Sequence, residues 1–404
     1  MAKDVEQGDP KVTSPADDWT SVLLLSGAWA CAFSIFSSAV ATLSLAVDAS
    51  APNGLETLPL SLALILQGVA NLVLPICKRK LGLKGTYFLG ASVGIVACGL
   101  LVLGCFLGDF STQCIGSALL GFSLSFAQNY RFVSVLLLPS NPASAVSAVL
   151  FGGVLGSLLG PGALAQAKDL LEVPFAGIYL LGGCVFVVSL VLIACVKFPP
   201  VVSSAGSSDA EAPRALCRIL RQPSCFAAIL TMASSYSIML LLMAPTPVVM
   251  QQYYNHGYVP TTLTMMGHMF CMFAPSPLTG KLVSRFGSLK VIQSGLILAC
   301  ATAIILWLEN ELWAFMVAMG LLGFTWNFMF LGGTVLLNSC LKATESLKVV
   351  AAADCTVFLT AAAFTVLSMP LVSNIGWPET QIATMSMAVA VALCLGVAAA
   401  VRDV

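Results

Sequence analysis

Twelve runs of apolar residues, each long enough to cross about 30 Å of hydrocarbon, recur along this chain. That feature removes most folds from consideration. A segment inside a bilayer meets no water, so it must satisfy its own backbone N–H and C=O groups, and runs of this length do so as α-helices. They fall near 20–46, 55–77, 84–108, 111–138, 143–166 and 174–197, then near 224–250, 260–283, 287–308, 311–338, 346–371 and 379–401. Charged residues make up 9% of the chain, against about a quarter in a soluble globular domain, which excludes a water-soluble fold. The formal net charge of zero leaves no basic surface for nucleic acid. The expected class is an all-α polytopic membrane protein with twelve transmembrane helices, and the lipid bilayer is its first partner.

The longest polar interval, Lys197 to Pro223, separates six runs from six and contains SSAGSSDAEAP, a linker by composition. The expected organisation is a disordered cytoplasmic tail over 1–19, a six-helix bundle over 20–197, a cytoplasmic linker over 198–223 and a second six-helix bundle over 224–401. Basic residues test the count, because they concentrate in cytoplasmic loops. With both termini cytoplasmic, every Lys and Arg except Lys168 and Arg131 falls in an inner segment. Acids such as Asp48, Glu56, Asp109, Glu172 and Glu309 fall in outer loops. A wrong helix count would scramble this alternation. The same orientation is expected in a plasma membrane or an organelle membrane. The halves also repeat: LLGFSLSF (119–126) matches LLGFTWNF (321–328) at an offset of 202, and RKLGLK (79–84) matches SRFGSLK (284–290) at about 205. Parallel six-helix repeats are one architecture of secondary transporters.

The loop GKLVSRFGSLK (280–290) holds Gly280, Arg285, Gly287 and Lys290, and its first-half counterpart holds Lys80, Gly82 and Lys84. This pattern resembles the loop motif of the major facilitator superfamily. Ser284 stands where that family places Asp, and Pro75 and Arg79 replace the Gly and Asp of the first copy. In GGVLGSLLGPG (152–162), Gly156, Gly160 and Pro161 resemble the family's antiporter motif, without its later Gly-Gly pair. The resemblance implies two pseudo-symmetric six-helix bundles that alternate access to a central site. It implies that the loop acts as a conformational clamp and that spans one, four, seven and ten line the path.

Two formally charged residues lie inside the spans away from their ends, Arg131 and Asp354. Arg at the centre of a helix in lipid costs about 2.5–3.5 kcal/mol on insertion scales, so a charge there needs a reason. Gly121, Ser125, Gln128 and Arg131 follow helical spacing and form one stripe, which should face a cavity or other protein. The alternative is an arginine that snorkels to the inner headgroups. Asp354 sits at a matching depth in the opposite half. It is a candidate gate partner of Arg131 and a candidate proton carrier, or else a structural Asp met by Gln67 or Asn71. His268, among methionines in span eight, is a second proton-coupling candidate or a packed polar residue. Tyr236 of span seven and Asn327 of span ten are further cavity candidates.

There is no G-x-x-x-x-G-K loop and no H-E-x-x-H, and two histidines make no metal cluster. No cofactor and no metal are expected, and no nucleophile–base pair suggests an enzyme. The expected function is a monomeric secondary active transporter for a small organic solute, with an anionic or strongly polar group suggested by Arg131 and protons as the candidate coupling ion. Two alternatives stand beside it: an efflux antiporter for amphipathic compounds, and a transporter-like receptor that binds solute without moving it.

Overall fold

A computed structural model of the protein describes residues 17–52, 54–140, 142–198, 214, 216–341 and 346–400. The first half comprises α1 (Trp19–Val47), α2 (Leu58–Leu107), α3 (Phe110–Gln128), α4 (Tyr130–Leu137), α5 (Pro142–Gly162) and α6 (Ala176–Cys195). A short α7 (Leu216–Leu220) leads into α8 (Pro223–Met243), α9 (Thr246–Val248), α10 (Tyr258–Phe273), α11 (Ser276–Phe286), α12 (Ser288–Leu308), α13 (Leu312–Ser339), α14 (Ser346–Ile375) and α15 (Trp377–Ala400). Most of the tail expected over 1–19 and of the linker expected over 198–223 lies outside the described residues.

Ten helical stretches among the described residues are long and apolar enough to cross a membrane. The twelve expected crossings reduce to ten for two local reasons. α2 is 50 residues long, far beyond the roughly 20 that one crossing needs, and it changes direction at Gly82, so it supplies two crossings. The eighth crossing is broken at Ala274–Pro275 into α10 and α11, because proline offers no N–H to continue the helical ladder.

Gly82 has φ 69° and ψ 180°, and Gly287, between α11 and α12, has φ 85° and ψ 155°. A residue with a Cβ is strained in that region, so glycine is the residue for the turn. The two loop copies therefore share a backbone conformation as well as a sequence pattern. Polar residues set the other ends. Asp18 accepts from the Ser21 amide at 3.0 Å to cap α1, and these hydrogen bonds hold its carboxyl below the usual range. Asp109 caps α3 through the Thr112 amide at 2.7 Å.

Within each half, small residues allow close helix approach. A Cβ at Gly121 of α3 would collide with the Ala63 carbonyl of α2, and one at Gly160 of α5 would collide with Ser37 and Ser34 of α1. The halves meet along α2 against α14 and along α5 against α10. One core cluster is built solely from residues between Val22 and Val196. The other, centred on the second half, also takes in Val40, Ala41, Leu60 and Leu64 of the first.

Four hydrogen bonds between the halves lie at the end of the bundle opposite the termini. Thr57 Oγ1 donates to the Thr365 carbonyl at 2.8 Å, and Ser368 Oγ donates to Thr57 Oγ1 at 3.5 Å. Gln166 Nε2 donates to Thr262 Oγ1 at 2.9 Å, and the Tyr258 hydroxyl donates to the Ala165 carbonyl. These bonds join the two halves at the distal end.

Candidate functional site

A cavity lies between the halves, and both contribute to its wall. Its volume is about 80 Å3, below the range of about 300–1,000 Å3 typical of small-molecule sites. In this state it is a narrow slot. α1 supplies Trp29, Phe33 and Phe36; α8 supplies Tyr236; α13 supplies Trp326 and Phe330; α14 supplies Phe358.

These rings hold each other in place. Trp326 and Phe330 stack with centroids 4.9 Å apart at 15°. Tyr236 meets Trp326, Phe330 and Phe358 edge-on at 5.4, 5.3 and 5.3 Å. Phe33 of the first half meets Phe273 of the second at 4.9 Å and 80°. Offset and edge-on arrangements are favourable for aromatic quadrupoles, so the wall is formed before any solute enters. Met239, Met243, Met269 and Met272 fill the remaining wall with adaptable side chains.

The polar groups of the slot are few. Gln67 of α2, Gln128 of α3, Arg131 of α4 and Asp354 of α14 line it. Arg131 and Asp354 thus face one cavity from opposite halves, without an ion pair at 4.0 Å or less. Arg131 sits just past a break in the fourth crossing, where α3 ends at Gln128 and α4 begins at Tyr130. Asn129 occupies the break, and its Oδ1 accepts from Lys78 Nζ. The guanidinium lies over the Phe132 ring at 4.8 Å, while Nε has no hydrogen-bond partner.

The remaining polar residues sort differently from the expectations. The stripe on the fourth crossing divides: Gln128 and Arg131 reach the cavity, but Gly121 packs on α2 and Ser125 Oγ bonds Asn71 Oδ1 at 3.0 Å. Asn327 does not line the cavity. Its Nδ2 donates to the Met272 carbonyl at 2.7 Å and to Ser276 Oγ at 2.9 Å, and Thr279 donates to its Oδ1. It braces the broken eighth crossing, because carbonyls freed at a proline break need partners. The repeat explains this. Asn327 is the counterpart of Ser125 at the offset of 202, and Ser276 is the counterpart of Asn71 at 205. His268 is fully buried outside the cavity, with Nδ1 bonded to the Met319 carbonyl at 2.8 Å. Gln67 and Asn71 make no hydrogen bond to Asp354: Asn71 is taken up by Ser125 and by the Gln67 carbonyl.

The loop residues lie away from the cavity. Lys84 Nζ donates to the Ala194 carbonyl at 2.8 Å, tying the third crossing to the end of α6. The Arg285 guanidinium covers the Phe286 ring at 5.3 Å. Lys80 and Lys290 are exposed, and a Cβ at Gly280 would meet no atom within 4 Å. Gly156 and Gly160, followed by Pro161 within α5, press that helix onto α1, where Ser37 Oγ donates to the Gly156 carbonyl at 3.0 Å.

Sequence reasoning overlooked Trp29 and Trp326 as cavity residues. The repeat held a signal for one of them. Trp326 aligns with Leu124 and Phe330 with Gln128 at the offset of 202, and all four line the slot.

No protein-family model matches the chain. It is 30% identical to the riboflavin transporter RfnT of Brucella anthropi over 330 residues, which cover 81% of this chain and 82% of that protein. It is 26% identical to the uncharacterised MFS-type transporter YddS of Bacillus subtilis over 275 residues, covering 64% and 62%. Among solved structures, the nucleoside transporter NupG superposes with a TM-score of 0.70 at 12% identity, over 94% of this chain and 99% of that one. FucP in its outward conformation superposes with a TM-score of 0.63 at 14% identity, over 94% and 98%.

Proposed function

The chain belongs to the major facilitator superfamily of small-solute transporters, and on that premise we propose that it is a secondary active transporter working by alternating access through the aromatic slot. The observation that carries this reading is the slot itself, which lies between the halves and draws charged and aromatic side chains from both. Parallel rings such as Trp326 and Phe330 favour a flat, ring-bearing solute. The relative RfnT is by its name a riboflavin transporter, which makes riboflavin the first cargo to test. Arg131 supports a polar or anionic group on the cargo. Asp354, a carboxylate within a membrane crossing, is the candidate proton carrier.

The joined distal end supports a state open toward the termini. The distribution of Lys and Arg supports cytoplasmic termini and a cytoplasmic 198–223 linker between two six-helix domains. Together these support a cytoplasm-facing state. Four neutral hydrogen bonds, each contributing about 0.5–1.5 kcal/mol, form a latch that thermal motion can open. Removing three of them with Thr57→Val and Gln166→Leu is expected to shift the balance toward a distal-open state by about tenfold or more. In an otherwise cysteine-free protein with Val40→Cys, a membrane-impermeant maleimide should then label several-fold faster from the distal side. Unchanged labelling would count against the latch.

Purified protein in liposomes should take up or release riboflavin above protein-free vesicles, and the rate should rise when a proton gradient is imposed. Specific binding with no flux would favour a receptor and sink the transport reading. The efflux reading is favoured by one observation, the four methionines in the slot wall. It predicts that an inward proton gradient drives cargo outward.

A further inference from the structure

Four polar atoms on the slot-lining side chains have no hydrogen-bond partner: Trp29 Nε1, Gln67 Oε1, Arg131 Nε and Trp326 Nε1. Three of those side chains are more than nine-tenths buried, with exposures of 4% for Trp29, 1% for Gln67 and 6% for Trp326. Buried polar groups are nearly always satisfied, so an orphan calls for an explanation. One orphan could be a packing accident. Trp29 Nε1 lies against Gly153 of α5, which leaves three beside the cavity in a pattern with a definite polarity: two donate and one accepts.

The donors and the rings restrict what can complete them. A hydrocarbon or a simple amphipath would satisfy the rings and leave every polar atom unmet. A sugar would satisfy the polar atoms and waste the aromatic wall. We infer that the slot recognises a flat heteroaromatic ring by an edge that carries carbonyl or ring-nitrogen acceptors beside an N–H donor. The acceptors take the Trp326 indole N–H and the guanidinium N–H. The ring N–H donates to the Gln67 amide oxygen. The inference rests on the slot being the cargo site, as proposed above, and it adds the chemical class of the cargo.

Riboflavin and 3-methylriboflavin test it. They share a ring system and a tail, and they differ by one edge N–H. Their affinities are measured by flavin fluorescence with the full-length protein in detergent. A site that hydrogen-bonds a ligand N–H discriminates strongly against an analogue lacking it, because its own buried group is left unpaired. The native protein is expected to prefer riboflavin by at least about tenfold. Gln67→Leu is close in volume, and the side-chain oxygen it removes has no protein partner, so the fold should tolerate it. In this variant the preference should shrink to within about twofold, through weaker binding of riboflavin. A second variant, Trp326→Phe, keeps a ring and loses one donor, and should weaken both ligands together.

Equal affinities in the native protein, or no riboflavin binding, would overturn the inference. So would a preference that survives Gln67→Leu, since the methyl group would then be excluded by shape alone. If the expected pattern appears but liposomes show no flux, the transport reading falls and the recognition stands.

Discussion

Asp354→Asn is expected to lower solute flux by about a hundredfold or more with normal amounts of protein in the membrane, and Arg131→Gln is expected to do the same. The two residues face one low-dielectric cavity from opposite halves, and their charges act on each other without direct contact in this state. Closing the end that bears the termini should bring them together. Removing one member of such a pair leaves an uncompensated charge at a cost of about 3–5 kcal/mol, and each 1.4 kcal/mol is about tenfold in an equilibrium. The exchange Arg131→Asp with Asp354→Arg should restore insertion and part of the flux. Cysteines at the two positions should crosslink only when the terminal end is closed. Full flux in Asp354→Asn, or simple additivity across the double-mutant cycle, would remove the pair from the mechanism.

The second large effect concerns packing. Gly121→Leu should prevent accumulation of folded protein, because even a Cβ at that position collides with the Ala63 carbonyl of α2. Overpacking a tight core typically costs about 1–3 kcal/mol, and backbone cannot yield as a flexible side chain does, so the upper end or beyond is expected. Gly323→Leu, at the equivalent position of the second half, meets the His268 carbonyl and should behave alike. Gly280→Ala is the control, with no atom within 4 Å of the new Cβ. Size-exclusion profiles of the three purified variants read the outcome. A monodisperse Gly121→Leu would show that α2 and α3 are not closely apposed.

The crossings were legible because each apolar run is a solvent-transfer property of its own residues, independent of neighbours. The two departures were local too: the reversal at Gly82 merges two runs into one helix, and Pro275 divides another. Arg131 and Asp354 stood out because charge is rare in lipid, and their shared depth follows from counting residues along helices. What periodicity could not supply is which neighbour a face meets. The stripe of Gly121, Ser125, Gln128 and Arg131 is real, yet one end faces α2 and the other the slot. Asn327 looked like a cavity residue because polar side chains in spans often are. Its partners lie on α10 and α11 and are remote in sequence. Trp29 and Trp326 were invisible for a different reason, since an aromatic in an apolar run carries no mark of an unpaired N–H.

The two cores are unequal in what they require. The buried residues of the first run no later than Val196, with Phe273 of the second half packed against them, whereas the second includes Val40, Ala41, Leu60 and Leu64 from the first half. At about 5–20 residues per second of synthesis, the remainder of the chain takes roughly 10–40 s to emerge after Val196. During that interval the first bundle already holds the fully buried side chains of its cluster, whereas the cluster of the second includes residues of the half made before it. The earlier-made half thereby presents Val40, Ala41, Leu60 and Leu64 as a surface for the later one.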